Sequence, residues 1–268
     1  MLFSLVREMM HKSLAFVLLL VCWIFAPMQV FGFTMEEAAR EIEAMDWYTE
    51  EYPPYNFTGD DGLPTGIAVD ILMAAFKKTG VNLKPGDIKI VPWNRSYKFI
   101  QKKPGTALFS MTYTPEREKI MKFVGPSIPS AVSIIAPKNS KIVARNVAEL
   151  SQLKIGVVRD DIGDQLVRKL AVSDDAIKRK NSTKQLFYLL KSGRVDVVAY
   201  AVDVFKNAIK KTGEDPAQYE EIFILKKGQL GYAFHNSTVS EVLAPLQKAI
   251  DELRADGTID KIIAAYSK

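Results

Sequence analysis

The sequence is poor in the residues from which most metal and redox sites are built. Its single cysteine is Cys22, and its two histidines are His11 and His235. Cys22 falls in an N-terminal stretch with the marks of a removable leader, so the remainder has no thiol. That excludes a disulfide framework and a cysteine metal site. One histidine beyond the leader excludes most histidine-based zinc and catalytic arrangements. No phosphate loop, dinucleotide fingerprint or nucleophile elbow occurs, so no metal or cofactor is expected. Charge of one sign is not concentrated anywhere either: 36 Lys+Arg and 31 Asp+Glu are interspersed for a net charge of +5. Without a basic block or basic–aromatic stripe, nucleic acid is not an expected partner.

Long apolar runs are also scarce. The one continuous run, residues 14–25, holds 12 residues, short of the ~20 needed to span a bilayer. Arg7 and Lys12 precede it, and Val30 and Gly32 follow at the small-residue spacing of a signal peptidase site. These features predict a signal peptide over residues 1–32 and a periplasmic location for the rest. The expected mature chain, residues 33–268, has 236 residues (268 − 32) and keeps +4 of the +5, because the leader carries two cations and Glu8. That length fits two small lobes or one large domain.

What is present is an alternation of strand and helix patterns. A short polar helix over 35–45 precedes a strand at Trp47–Thr49. Pro53 and Pro54 forbid helix, and Asp60-Asp61-Gly62 reads as a turn. Ile67, Ile71, Leu72, Ala75 and Phe76 recur at helical spacing before a stop at Gly80. Strands are expected at 88–91, 107–110, 132–135, 154–158, 195–200 and 230–234. Helices are expected from Trp93, from Thr114-Pro115 with Thr114 as cap, around Leu166–Leu170, after a Ser182–Gln185 capping box, and in two final segments around Leu243–Leu253 and Ile259–Tyr266. This order predicts an α/β fold with mostly parallel strand pairing.

Several stretches together resemble the amino-acid-binding branch of the periplasmic solute-binding proteins that serve ABC importers. They are Tyr52-Pro53-Pro54-Tyr55, residues 66–71 (GIAVDI), residues 112–118 (TYTPERE), residues 154–158 (KIGVV), Gly193-Arg194-Val195-Asp196 and residues 253–258 (LRADGT). Each is weak alone, but their order and spacing match across nearly the whole mature chain. The resemblance implies a two-lobed, Venus-flytrap fold with two hinge crossovers, near Ser130–Val132 and Gly228–Leu230. Lobe 1 would comprise residues 33–130 and 230–268, and lobe 2 residues 131–229. It also implies a monomer that binds a small polar ligand bearing a carboxylate, an amino acid or related organic acid, and delivers it to a membrane permease.

The resemblance further implies that Arg117 clamps the ligand carboxylate, a role suited to the rigid guanidinium fork. Thr112 would add a hydroxyl and Ser110 a backbone group to the same end. Tyr52 and Trp93 match aromatic walls of the pocket. In lobe 2, Arg159 and Gly163 lie at a strand-to-helix turn suited to an anion, and Tyr200 completes the candidate set. Arg95 is expected to face solvent or a salt bridge between lobes. The chain departs from the family where relatives place acidic partners for the ligand ammonium: Thr49 and Ala201 stand there. Glu50, Glu51, Asp161 and Asp203 are the candidates to replace them. An exported dehydratase on the same scaffold is the enzymatic alternative, and a ligand-sensing partner of a separate receptor is the third.

Overall fold

The computed structural model describes residues 33–266 except Ala171, so the expected leader lies outside the described residues. Helix α1 (Met35–Glu43) starts at Thr34, whose hydroxyl accepts from the Glu37 amide at 3.2 Å while the Glu37 carboxylate accepts from the Thr34 amide at 2.8 Å. This reciprocal cap satisfies donors that a helix start leaves free. Strand β1 (Asp46–Thr49) follows, then a hairpin of β2 (Phe57–Thr58) and β3 (Pro64–Thr65) around the expected turn. Helix α2 (Ile67–Thr79) ends at Gly80, whose φ of 75° is the left-handed conformation that glycine adopts without strain. Next come β4 (Lys89–Ile90), α3 (Trp93–Lys102), β5 (Thr106–Thr112) and the single turn α4 (Pro115–Glu118). The long strand β6 (Met121–Pro137) leads to α5 (Val147–Leu150), β7 (Ile155–Val158), α6 (Ile162–Arg168), β8 (Ile177–Lys180), α7 (Thr183–Lys191), β9 (Val197–Ala201) and α8 (Val202–Lys210). A second long strand, β10 (Tyr219–His235), is followed by α9 (Ser240–Ala255) and α10 (Thr258–Ala265).

The sheet order is β4-β1-β5-β10-β6-β9-β7-β8. Pairing is parallel in the two outer groups, β4-β1-β5 and β9-β7-β8. It is antiparallel in the centre, where β10 pairs with β5 and β6, and β6 with β9. The sheet is therefore mixed rather than mostly parallel. β6 and β10 each run for 17 residues and connect the two groups. Only residues 132–135 and 230–234 of them read as strand in the sequence. Pro126, Pro129 and the charges Glu220, Glu221, Lys226 and Lys227 break the alternation, and the β6–β10 ladder itself carries three register shifts.

Two further expectations change. Val195 and Asp196 precede β9 rather than belonging to it: the Asp196 carboxylate accepts from the Lys154 amide at 2.7 Å and so joins β9 to the start of β7. At α7 the Ser182 hydroxyl caps the Gln185 amide, but the Gln185 side chain returns to the amide of Asn181, one residue before the expected position.

The main apolar cluster packs Trp47 edge-on against Phe76 and Phe234, with ring centroids 5.1 and 5.6 Å apart. The same cluster contains Phe187, Phe205 and Tyr219 on the β9-β7-β8 side. A second cluster packs Leu150, Val157, Val167 and Val197.

Candidate functional site

Arg117 is the organising residue of the site. Thr114 caps α4 by accepting from the Arg117 amide at 3.1 Å, and Pro115 pre-sets the first helical position. This turn directs the Arg117 side chain inward, where it is 1% exposed. Nη1 donates to the Thr112 carbonyl at 3.1 Å. The guanidinium lies 5.4 Å from the ring centroids of both Trp93 and Tyr97, which stack on each other one turn apart along α3. The Nε and Nη2 atoms are buried and without a hydrogen-bond partner. A charged group in that state is strongly disfavoured unless something completes it.

Beside Arg117, β5 is bulged. In the pairing with β10, Met111 faces Gly231 and Phe109 faces Tyr232, so Ser110 is the extra residue, with a φ of 58°. A bulge of this kind re-aims the backbone next to a site. The Ser110 hydroxyl donates to Asn56 Oδ1, and Asn56 Nδ2 donates to the Glu50 carbonyl at 2.7 Å. Ser110 thus has its hydroxyl engaged, and Thr112 contributes its carbonyl to Arg117. The Tyr52–Asn56 loop, in which the Pro53–Pro54 bond is cis, is closed by hydrogen bonds between the backbones of Tyr52 and Asn56. It buries both Tyr52 and Tyr55.

The β7–α6 turn approaches from the other side. Asp160 has a φ of 62°, and its carbonyl accepts from Trp93 Nε1 and Gln165 Nε2, each at 3.1 Å. Of the three non-glycine residues with positive φ among the described residues, two, Ser110 and Asp160, therefore flank this site. Asp161 is 6% exposed. Burial pushes its carboxyl up to about 6, against the opposing pull of Arg117 and of the Ile162 amide. Glu50 is reachable from a neighbouring cavity, yet its carboxyl is raised well above the usual range, first by burial and then by the charge of Asp161, with Arg117 opposing. Tyr52 and Tyr200 meet edge-on at 5.7 Å, and the Thr183 hydroxyl donates to Tyr200 Oη at 2.9 Å. Burial and the two carboxylates raise both phenols, so both stay neutral.

The structure thus gathers Tyr52, Trp93, Ser110, Thr112, Arg117 and Tyr200. One expected residue, Arg159, sits elsewhere, and Gly163 has a packing role. Arg159 is exposed and lines a separate basic hollow with Lys178, Arg179, Lys180 and Arg194. The left-handed backbone at Asp160 turns the chain between Arg159 and the buried Asp161. Gly163 is buried where a Cβ would come within 2.3 Å of the Ala199 carbonyl oxygen, so it lets α6 pack closely on β9. Arg95 is exposed and lies over Phe99. Tyr97, Tyr55, Asn56 and Thr183 are not site candidates in the sequence, where Tyr55 appears only within the Tyr52–Tyr55 motif and Thr183 only within the capping box. The spacing of Trp93 and Tyr97, one helical turn apart, was the available signal for the first of these. Glu50 and Asp161 were candidates without a position, and both now stand beside Arg117. Among the described residues no cluster of three or more His, Cys, Asp or Glu could hold a metal ion, and no helix is long and apolar enough to cross a membrane.

Residues 47–268 match the family described as bacterial extracellular solute-binding proteins, family 3. The chain belongs to that family. Among curated relatives of this family 3 protein, the L-cystine-binding protein TcyJ of Escherichia coli (strain K12) is 24% identical over 212 residues, covering 79% of this chain and 77% of its own. Among solved structures, a histidine kinase sensor domain with similarity to periplasmic binding proteins superposes with a TM-score of 0.73 at 18% identity, covering 84% of this chain and 96% of its own. A variant of ArgBP from T. maritima gives a TM-score of 0.72 at 22% identity, with coverages of 85% and 98%. These likenesses establish the two-lobed fold of periplasmic binding proteins.

Proposed function

We propose that this solute-binding protein captures an α-amino acid between two lobes, residues 33–130 with 230–268 and residues 131–229, and delivers it to the membrane permease of an ABC importer. The observation that carries this reading is the buried Arg117 guanidinium with two unpartnered nitrogens. A carboxylate supplies two acceptor oxygens in the geometry of that fork. The ammonium has a counterpart in Glu50 and Asp161, whose raised carboxyls indicate a desolvated site short of positive charge. The relative named for cystine, and another from Campylobacter jejuni named as a probable histidine-binding protein, support an amino-acid ligand in kind. Export through a cleaved leader and action as a monomer complete the reading.

The test is calorimetry with a panel of amino acids and matched organic acids, paired with native mass spectrometry of protein purified without denaturation. An amino acid bound at 1:1, lost in Arg117→Ala while the fold is kept, is the expected result. Binding unchanged in that variant removes the assignment. A second reading follows from the same carboxyls: a buried acid near pH 6 beside an arginine is a proton donor of the type dehydration requires. Turnover of a bound organic acid by the purified protein would favour it.

A further inference from the structure

A second cavity of about 610 Å³ opens beside the site, and Glu50 belongs to both. Its walls are mainly apolar. Ile90, Val91 and Pro92 line it just before Trp93, and Tyr188 and Ala208 line it from the opposite side. A volume of this size suits a ligand larger than the carboxylate-and-ammonium head of an amino acid. The polar groups on its walls are not balanced. Glu51 is already engaged, accepting from the Thr58 amide at 3.0 Å and from the Thr58 hydroxyl. Lys184 and Lys211 also line the cavity, and among the described residues neither is in an ion pair; Lys211 Nζ rests 4.9 Å from the centroid of Phe57. Lys184 stands in the first turn of α7, where the helix end itself favours negative charge. This end therefore brings two cations against the hydrogen-bonded Glu51 carboxylate, whereas beside Arg117 two carboxyls crowd one cation.

From this we infer that the 610 Å³ cavity is a distal subsite, and that the ligand is a long amino acid whose side chain crosses apolar walls past Glu50 and ends in a carboxylate met by Lys184 and Lys211. The inference rests on the reading of Arg117 as the grip for the first carboxylate. A long diacid and a molecule with a second complete amino-acid head share this chemistry, and a titration can separate them. The probes are alanine, norleucine, aspartate, α-aminoadipate, α-aminopimelate and diaminopimelate, measured by calorimetry at neutral pH against the wild type, Arg117→Ala and the double variant Lys184→Ala/Lys211→Ala. In the wild type α-aminopimelate binds at least about tenfold more tightly than norleucine or alanine, and the exposed lysine pair is needed for that margin but not for alanine binding. Tighter binding of diaminopimelate than of α-aminopimelate identifies the two-headed source, and the reverse order the simple diacid. If alanine binds through Arg117 but norleucine equals α-aminopimelate, or the lysine variant keeps the preference, the distal subsite is overturned and the carboxylate grip stands. If no probe binds the wild type, both fall.

Discussion

Arg117, Asp161 and Glu50 form a charge problem that their own side chains do not solve. One buried guanidinium faces two desolvated carboxyls, and none of the three pairs with another at salt-bridge distance. A zwitterion completes both sides at once. Arg117→Ala is expected to weaken binding by more than about 100-fold, or ~3 kcal/mol, because a charge-assisted pair is lost in a dry site. Arg117→Lys recovers little of it, since an ammonium cannot form the two-pronged contact. Calorimetry with a circular dichroism melt separates lost affinity from lost fold. Asp161 gives a pH dependence. With its carboxyl near 6 in the folded protein and about 4 when unfolded, the ligand-free native state holds the extra proton between those values. Its stability therefore falls as pH rises from about 4 through 6, by roughly 1–3 kcal/mol. A ligand ammonium has the opposite preference, for the ionised carboxylate. Affinity is thus expected to drop about tenfold from pH 7 to 5, with proton release on binding, and Asp161→Asn is expected to flatten that profile. Calorimetry in buffers of different ionisation enthalpy reads the proton directly. Thr49 and Ala201 made the ammonium partner look absent from the sequence. The proposed replacements, Glu50 and Asp161, are residues whose meaning depends on burial, and burial of an isolated Glu or Asp leaves no sequence pattern.

At the scale of single elements, Gly163 decides how α6 meets β9. A Cβ 2.3 Å from the Ala199 carbonyl oxygen must push the helix start away. Gly163→Ala is expected to cost about 1–3 kcal/mol of stability. It should also weaken ligand binding more than a remote change of equal cost, because Asp161 immediately precedes α6 as its cap residue. Denaturant melts beside calorimetry make that comparison. The same region shows where sequence reading succeeds and fails. The α2 stop at Gly80, the Thr114–Pro115 cap and the central strand at 155–158 were legible, because each depends on a few neighbouring residues. β8 was not. Its sequence Ile-Lys-Arg-Lys has no apolar alternation and no strand is expected there, yet it pairs with β7 as an edge strand whose charges oppose further pairing. β6 and β10 were read only in part because their pairing is long-range and irregular. Arg159 shows the limit at one residue: it lies in the expected turn, but its side chain is exposed and lines the basic hollow with Lys178, Arg179, Lys180 and Arg194.

On the scale of the whole molecule, the β4-β1-β5 side and the β9-β7-β8 side touch at several separate points. Trp93 Nε1 donates to the Asp160 carbonyl at 3.1 Å, Tyr55 Oη donates to Asp203 at 3.4 Å, and Glu116 pairs with Lys169 at 2.7 Å. With Tyr52 against Tyr200, these contacts leave residues from Phe33 onwards a single compact unit. They describe a closed arrangement. If the proposed hinge operates at the β6 and β10 crossovers, each is broken on opening and remade on closing, so each biases that equilibrium. The Glu116–Lys169 pair tests this cleanly, because both side chains are well exposed, at 58% for Lys169 and 60% for Glu116, and neither reaches the ligand site. An exposed pair of this kind contributes little to stability by itself. Lys169→Glu replaces that attraction with repulsion and is expected to weaken ligand binding three- to tenfold, mostly through faster release, while the melting temperature of each lobe is kept. Small-angle scattering of the ligand-free variant should show a larger radius of gyration than the wild type. The reversed pair, Glu116→Lys with Lys169→Glu, should restore both quantities, since it restores the attraction with the signs exchanged. Equal affinity and equal size in all three proteins would mean that this contact forms without influencing closure, and that the balance between open and closed states is set by the buried contacts around Trp93 and Tyr52 alone.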